Sequence, residues 1–154
     1  GIYLSRVYQF TQFQISIYFI IAALGGMFGQ LLGGVLSDKK GRLVSCRAGI
    51  LGLSLGIMLL FGTYSAIFLG LVIALVSIGW TVGHNGLSTV LTDFPDEDRP
   101  MIASLNSSIR FISGGIGFCV SAYFVEKNFG LTFFVIGILM LLLSFVLRKV
   151  IPQN

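Results

Sequence analysis

Charge is the scarcest commodity in this chain. Only 10% of its 154 residues are Asp, Glu, Lys or Arg, against 55% hydrophobic residues and a mean hydropathy of +0.94. That balance excludes an ordinary soluble domain, because 154 residues cannot bury so much apolar surface. Acidic groups are scarcer still. There are six, and none falls inside the long apolar runs, so a carboxylate pair for catalysis is absent from the interior. The acidic group Asp93, Asp96, Glu97 and Asp98 crowds one short segment beside Pro95 and Pro100, the composition of a solvated turn. With no convergent nucleophile or acid, an enzyme is not expected. The two cysteines, Cys46 and Cys119, fall in different environments, which excludes a disulfide framework. The single His84 has no Cys or carboxylate at ligand spacing. Hence no metal site and no cofactor are expected.

What remains is long apolar sequence. Stretches run approximately over 13–36, 44–62, 66–91, 102–125 and 129–147, each near the ~20 residues a helix needs to cross the hydrocarbon core. They are long and do not alternate apolar with polar residues, which argues for helices over barrel strands. The expected fold is therefore all-α and integral to the membrane, with five transmembrane helices and lipid as the immediate partner. Lys39, Lys40, Arg42, Arg47, Arg99, Arg148 and Lys149 follow the first, third and fifth stretches, whereas Arg6 and Lys127 lie on the other side. The positive-inside bias places the loops at 37–43 and 92–101, and the C-terminus, in the cytoplasm. These flanks account for the net charge of +4 and leave no reason to expect nucleic-acid binding. No cleavable signal peptide is evident in the amphipathic lead-in from Ile2 to Gln14. A start at Gly1 reads as an internal point of a longer protein or as a processed end.

Small residues recur every four positions along three stretches: Gly25, Gly29 and Gly33; Ala48, Gly52 and Gly56; Ser113, Gly117 and Ser121. In lipid no hydrophobic drive brings helices together, so close backbone approach at such faces supplies the packing energy.

The turn Gly34-Val35-Leu36-Ser37-Asp38-Lys39-Lys40-Gly41-Arg42 joins the first two stretches. Asp38 at a helix C-terminus faces an unfavourable dipole, so it should seek Arg42, another cation or the N-terminus of a second helix, which makes it a latch. Gly34 permits close packing and Gly41 the turn. The alternative is a topogenic turn with no switching role. The spacing Gly-x-x-x-Asp-(Lys/Arg)-x-Gly-Arg resembles the signature loop of the major facilitator superfamily, the twelve-helix secondary transporters, between the second and third helices of either half. The resemblance implies that Gly34, Asp38, Lys39, Gly41 and Arg42 form a conformational switch holding the cytoplasmic face closed. It also implies alternating access about a site near the bilayer midplane.

Which half is this? The stretch 66–91 has no Arg, and Ser113-Gly114-Gly115-Ile116-Gly117-Phe118 puts Phe118 where first-half drug exporters carry a proline. Phe94-Pro95 to Gly117, with Arg99, Ser104-Leu105-Asn106, Arg110 and Gly114-Gly115-Ile116-Gly117, looks like the entry to the penultimate helix of the second half. The tail Ile151-Pro152-Gln153-Asn154 suits a terminus. The stretches are thus assigned to helices eight to twelve of a six-helix half-bundle, a first-half origin being the alternative. Partners implied are the missing N-terminal half of the transporter and a small-molecule substrate. Residues 1–154 would be one partial C-terminal bundle.

Polar residues inside the stretches are substrate-binding candidates, because such groups are expensive in lipid and tend to face an interior. They are Gln30; Trp80, Thr81, His84 and Asn85; and Asn106 with Arg110, one turn apart on one face. Arg110 can either snorkel or line a cavity and attract anions. His84 can equally be a helix-packing hydrogen bonder. With no interior carboxylate, proton coupling would fall to His84 or to the missing part. A glycine-rich, aromatic-containing sequence of this kind looks like an efflux carrier, an antiporter exporting an amphipathic compound from a bacterial plasma membrane. The rival reading is a non-transporting membrane scaffold or assembly subunit.

Overall fold

A computed structural model of the chain describes residues 1–90 and 94–150, the side chains of Glu126, Arg148, Lys149 and Val150 excepted. Leu91, Asp93 and the tail Ile151-Pro152-Gln153-Asn154, together with the side chains of Arg148 and Lys149, therefore lie outside the described residues. Six helices follow in order: α1 (Ile2–Tyr8), α2 (Gln12–Lys40), α3 (Arg42–Leu59), α4 (Ala66–Val90), α5 (Arg99–Lys127) and α6 (Phe129–Val150). All but α1 are long and apolar enough to cross a membrane. Among the described residues no strand is formed.

Local chemistry explains where these helices start and stop. Thr11 opens α2 with a reciprocal capping box: its hydroxyl accepts from the Gln14 backbone N–H, and the Gln14 side chain accepts from the Thr11 N–H, satisfying two otherwise orphaned donors. At the other end the basic turn expected over 37–43 is much shorter. Helix α2 continues through Asp38, Lys39 and Lys40, since none of these breaks a helix, and only Gly41 separates it from α3. Gly41 has φ of 88°, in the left-handed half of backbone space where a side chain is disfavoured. Helix α5 likewise begins earlier than the apolar stretch at 102, because Pro100 occupies its first turn, where the missing N–H is no loss.

The packing can be followed as three seams. Helices α2 and α4 run parallel, with Gly25 against Ala74, Gly29 against Ile78 and Gly33 against Val82. A Cβ added at Gly25 would lie 2.9 Å from the Ala74 carbonyl oxygen, and one at Gly33 3.0 Å from Val82 Cα. Such a fit is available only to glycine. Helices α3 and α4 run antiparallel, Cys46 meeting Gly86, Gly49 meeting Gly83, Leu53 meeting Gly79 and Gly56 meeting Val76. Helix α6 lies antiparallel on α3, with Gly137 against Ser54 and Met58.

The second small-residue ladder is displaced from its expected face. Ala48 is exposed and Gly52 only partly buried, whereas Gly49, Leu53 and Gly56 are buried. The reason lies in α4, whose own glycines at 79, 83 and 86 present a smooth surface that accepts Gly49 and Leu53 together. The third ladder is left largely open. A Cβ at Gly114, Gly115 or Gly117 would find open space, and no described residue of α5 is buried.

Serines stitch the seams. Ser45 Oγ donates to the carbonyls of Gly33 on α2 (3.2 Å) and Val82 on α4 (3.4 Å). Ser77 Oγ donates to Ala22 O at 2.6 Å, and Ser54 Oγ to Gly137 O at 2.7 Å. Arg47 Nε reaches Ser144 O on α6 at 3.3 Å. At the opposite end, Tyr3 OH donates to Leu60 O at 3.2 Å, and Tyr8 OH accepts from Tyr64 N–H at 3.1 Å. Phe10 stacks on Tyr18 with 5.1 Å between ring centroids. Helix α1 is thereby clamped across the ends of α2, α3 and α4 by aromatic residues, whose apolar body and polar tip suit a membrane boundary.

Candidate transport surface and switch turn

The switch turn occupies the corner where α2, α3 and α4 end together. Ser37, buried, shares a hydrogen bond of 3.2 Å with Thr89 of α4, and Ser45 ties the first turn of α3 to both neighbours. The corner is therefore pinned at positions adjoining the motif. Asp38, Lys39 and Lys40 themselves are exposed, and among the described residues Asp38 forms no ion pair. Arg42 is half-buried at the start of α3. Gly34 leaves ordinary van der Waals space to Asn85, 3.7 Å from the nearest atom to an added Cβ. Among the described residues nothing demands glycine there.

The polar candidates divide into two groups. Gln30, Thr81 and Asn85 lie on the seam between α2 and α4. Asn85 Nδ2 donates to the Gln30 backbone carbonyl at 3.0 Å. Thr81 Oγ1 bonds back to the carbonyls of Ser77 (3.0 Å) and Ile78 (3.1 Å) while pressing on Gly29. That geometry uses both side chains for helix packing, and leaves the Gln30 side chain exposed. The second group faces away from the seam. Trp80 stacks on His84, centroids 6.2 Å apart and ring planes 10° from parallel, and Trp80 keeps 54% of its surface exposed. Arg110 and Asn106 stand on α5, Arg110 exposed and Asn106 partly so.

Sequence reasoning passed over Ser37, Ser45, Ser54 and Ser77. Their signal is weak: a serine beside a glycine in an apolar run can serve a neighbouring carbonyl, its own helix or nothing. Among the described residues no group of three His, Cys, Asp or Glu side chains gathers as a metal site would require. A cleft of about 380 Å³ between α1 and the start of α2, lined by Gly1, Ile2, Ser5, Arg6, Gln12 and Ile15, touches none of the candidates. Past the acidic segment, Arg99 pairs with Asp96 and donates from Nε to Phe94 O at 2.9 Å, closing the turn that leads into α5.

Five membrane-length helices, four of them packed through glycine seams and the fifth, α5, lying largely open, form a bundle suited to a membrane. The sequence model of the Major Facilitator Superfamily matches residues 1–154, and the chain belongs to that superfamily of membrane transporters. No curated protein and no solved structure gives a significant match to it.

Proposed function

We propose that these helices are the eighth to twelfth of a C-terminal half, and that with an N-terminal half they export an amphipathic small molecule by proton-coupled alternating access. The cytoplasmic side is the one bearing Asp38, the segment before α5 and the C-terminus, because the cations concentrate there. The observation that carries the reading is the switch turn. Two long helices are joined by one glycine of positive φ, and the carboxylate beside it is presented outward, at a helix C-terminus where its own dipole repels it. A carboxylate so placed has its natural partner on a surface outside α2, such as a helix N-terminus or cation of the opposing half. A merely topogenic turn needs lysines and arginines but no such acid.

Movement of protons in exchange for substrate then needs a titrating group. His84, partly exposed and stacked on Trp80, fits that role, or the group is supplied by the N-terminal half. The test is Asp38→Asn in the full-length carrier, which keeps size and turn geometry but removes an interaction of roughly 0.3–2 kcal/mol at a helix end. Conformers of a transporter differ by a few kcal/mol, so such a loss is visible. Transport should fall with near-normal expression, and cytoplasmic accessibility should rise. Unchanged transport and accessibility would return the loop to a topogenic turn.

A further inference from the structure

The cleft between α1 and the start of α2 lies at the end of the bundle opposite the switch turn, since α2 runs from Gln12 beside it to Lys40 at the turn. Its volume of about 380 Å³ is that of a small-ligand site. The lining sets Ser5, Arg6 and Gln12 against Ile15, which is buried. Among the described residues none of those three polar side chains has a hydrogen-bond or ion-pair partner within the chain. No acidic residue lines the cleft. The other cation at this end is already engaged: Lys127 Nζ donates to Tyr123 OH at 2.8 Å and lies 4.3 Å from the centre of that ring. Arg6 is therefore a cation with two further donors beside it and nothing to receive them.

The surroundings say which anion is available there. Tyr3 packs on Phe129 and Phe133, and Phe10 on Tyr8 and Tyr18, while the hydroxyls of Tyr3 and Tyr8 bond to the connection between α3 and α4. Rings of this kind collect where hydrocarbon meets headgroups, the level at which lipid phosphate is abundant. Beyond the cleft, Phe13, Ile17, Ile20 and Leu24 are exposed at helical spacing along α2. From Phe13 to Leu24 the rise is about 16 Å at 1.5 Å per residue, near the ~15 Å of hydrocarbon in one leaflet. One molecule with an anionic head and a long apolar chain matches both features.

We infer that the α1–α2 cleft binds a phospholipid of net negative charge from the leaflet at that end, its phosphate on Arg6, with Ser5 and Gln12 donating beside it, and an acyl chain along Phe13 to Leu24. A planar guanidinium takes two phosphate oxygens at once. The ammonium of a zwitterionic headgroup would find no carboxylate in the cleft and would oppose Arg6, so a headgroup without a cation is selected. The inference needs a membrane bundle and is independent of what the carrier moves.

The test places the full-length protein in phosphatidylcholine bilayers doped with a trace of phosphatidylglycerol or phosphatidylcholine that carries a photoactivated diazirine near its glycerol. Adducts are then mapped by peptide mass spectrometry. Residues 1–17 should carry roughly 10-fold more adduct from phosphatidylglycerol than from phosphatidylcholine, the factor expected of a charge-assisted hydrogen bond. Arg6→Gln should remove that preference at 1–17 and leave adducts beside Lys39 and Lys40 unchanged. Arg6→Lys should keep part of it, and Lys127→Gln all of it. Glycerol 1-phosphate at millimolar concentration should not displace the lipid. Equal labelling of 1–17 by the two lipids in the native protein overturns the site without any variant having to fold. A preference there that survives Arg6→Gln overturns it as well. Displacement by glycerol 1-phosphate overturns the lipid and makes the cleft a site for a soluble phosphate ester.

Discussion

The α2–α4 seam and the face of α5 carry the same kind of sequence and opposite structures. Gly25, Gly29 and Gly33 repeat every four residues, as do Ser113, Gly117 and Ser121. The ladder on α2 is pressed against the backbone of α4, whereas Gly117 in the α5 ladder faces open space. A ladder of small residues is thus a permission for close approach. Whether anything approaches is decided by a second surface, here the α4 face of Ala74, Ile78 and Val82 with its hydroxyl and amide side chains at the edge. Hydrogen bonding separates the regions in the same way. Ser77 and Ser45 donate across seams to carbonyls of other helices, but Ser108, Ser113 and Ser121 bond back to their own helix.

The sharpest way to break that comparison is a branched side chain on each side of it. Gly49→Val places a Cβ into the backbone of Gly83, and no rotamer relieves a backbone overlap. Overpacking of this kind costs about 1–3 kcal/mol or more, enough to lose the folded bundle from detergent extracts. Gly117→Val should change thermal stability by less than ~0.5 kcal/mol, as for an exposed site, apart from the propensity of valine itself. Equal damage from both, read by size-exclusion profile and thermal unfolding, would show that α5 is packed as tightly as α3.

A smaller effect sharpens the hydrogen-bond contrast. Ser54→Ala removes the donor to Gly137 O and Ser45→Ala the donor shared between Gly33 and Val82. Interhelical bonds in membranes contribute about 0.6 kcal/mol on average and up to ~1.7. Each variant should unfold at a measurably lower temperature in a detergent titration, while Ser121→Ala, whose bond stays within α5, should not.

The smallest expected change is Gly34→Ala. Its Cβ would sit in ordinary contact with Asn85, and alanine in a helix interior is favoured over glycine by roughly 0.5–1 kcal/mol. Stability should hold or rise slightly. Loss of transport in this variant at unchanged stability would show that Gly34 serves an approach made by another part of the carrier.

Much of this was open to sequence reasoning, and the gaps have physical causes. Helix length against bilayer thickness made five membrane helices legible without any structure. Helix ends were less so. Asp38 to Lys40 read as turn residues because they are charged, but charge does not break a helix, and only Gly41 does. Ala48 and Gly52 were reasonable guesses for the α3 face, since nothing in α3 alone distinguishes them from Gly49. The glycines of α4, spaced at 79, 83 and 86, were the missing information. Thr81 and Asn85 were legible as polar groups that must face an interior, but not as groups bound to the α2 seam.

Composition and periodicity alone therefore determined the solvent and the helical class, because the requirement that every backbone group be bonded within lipid leaves one solution for long apolar runs. Tertiary structure decided which small-residue faces meet and which serines cross a seam. Those outcomes depend on the fit of two surfaces at once. A pattern along one helix specifies only half of each pair.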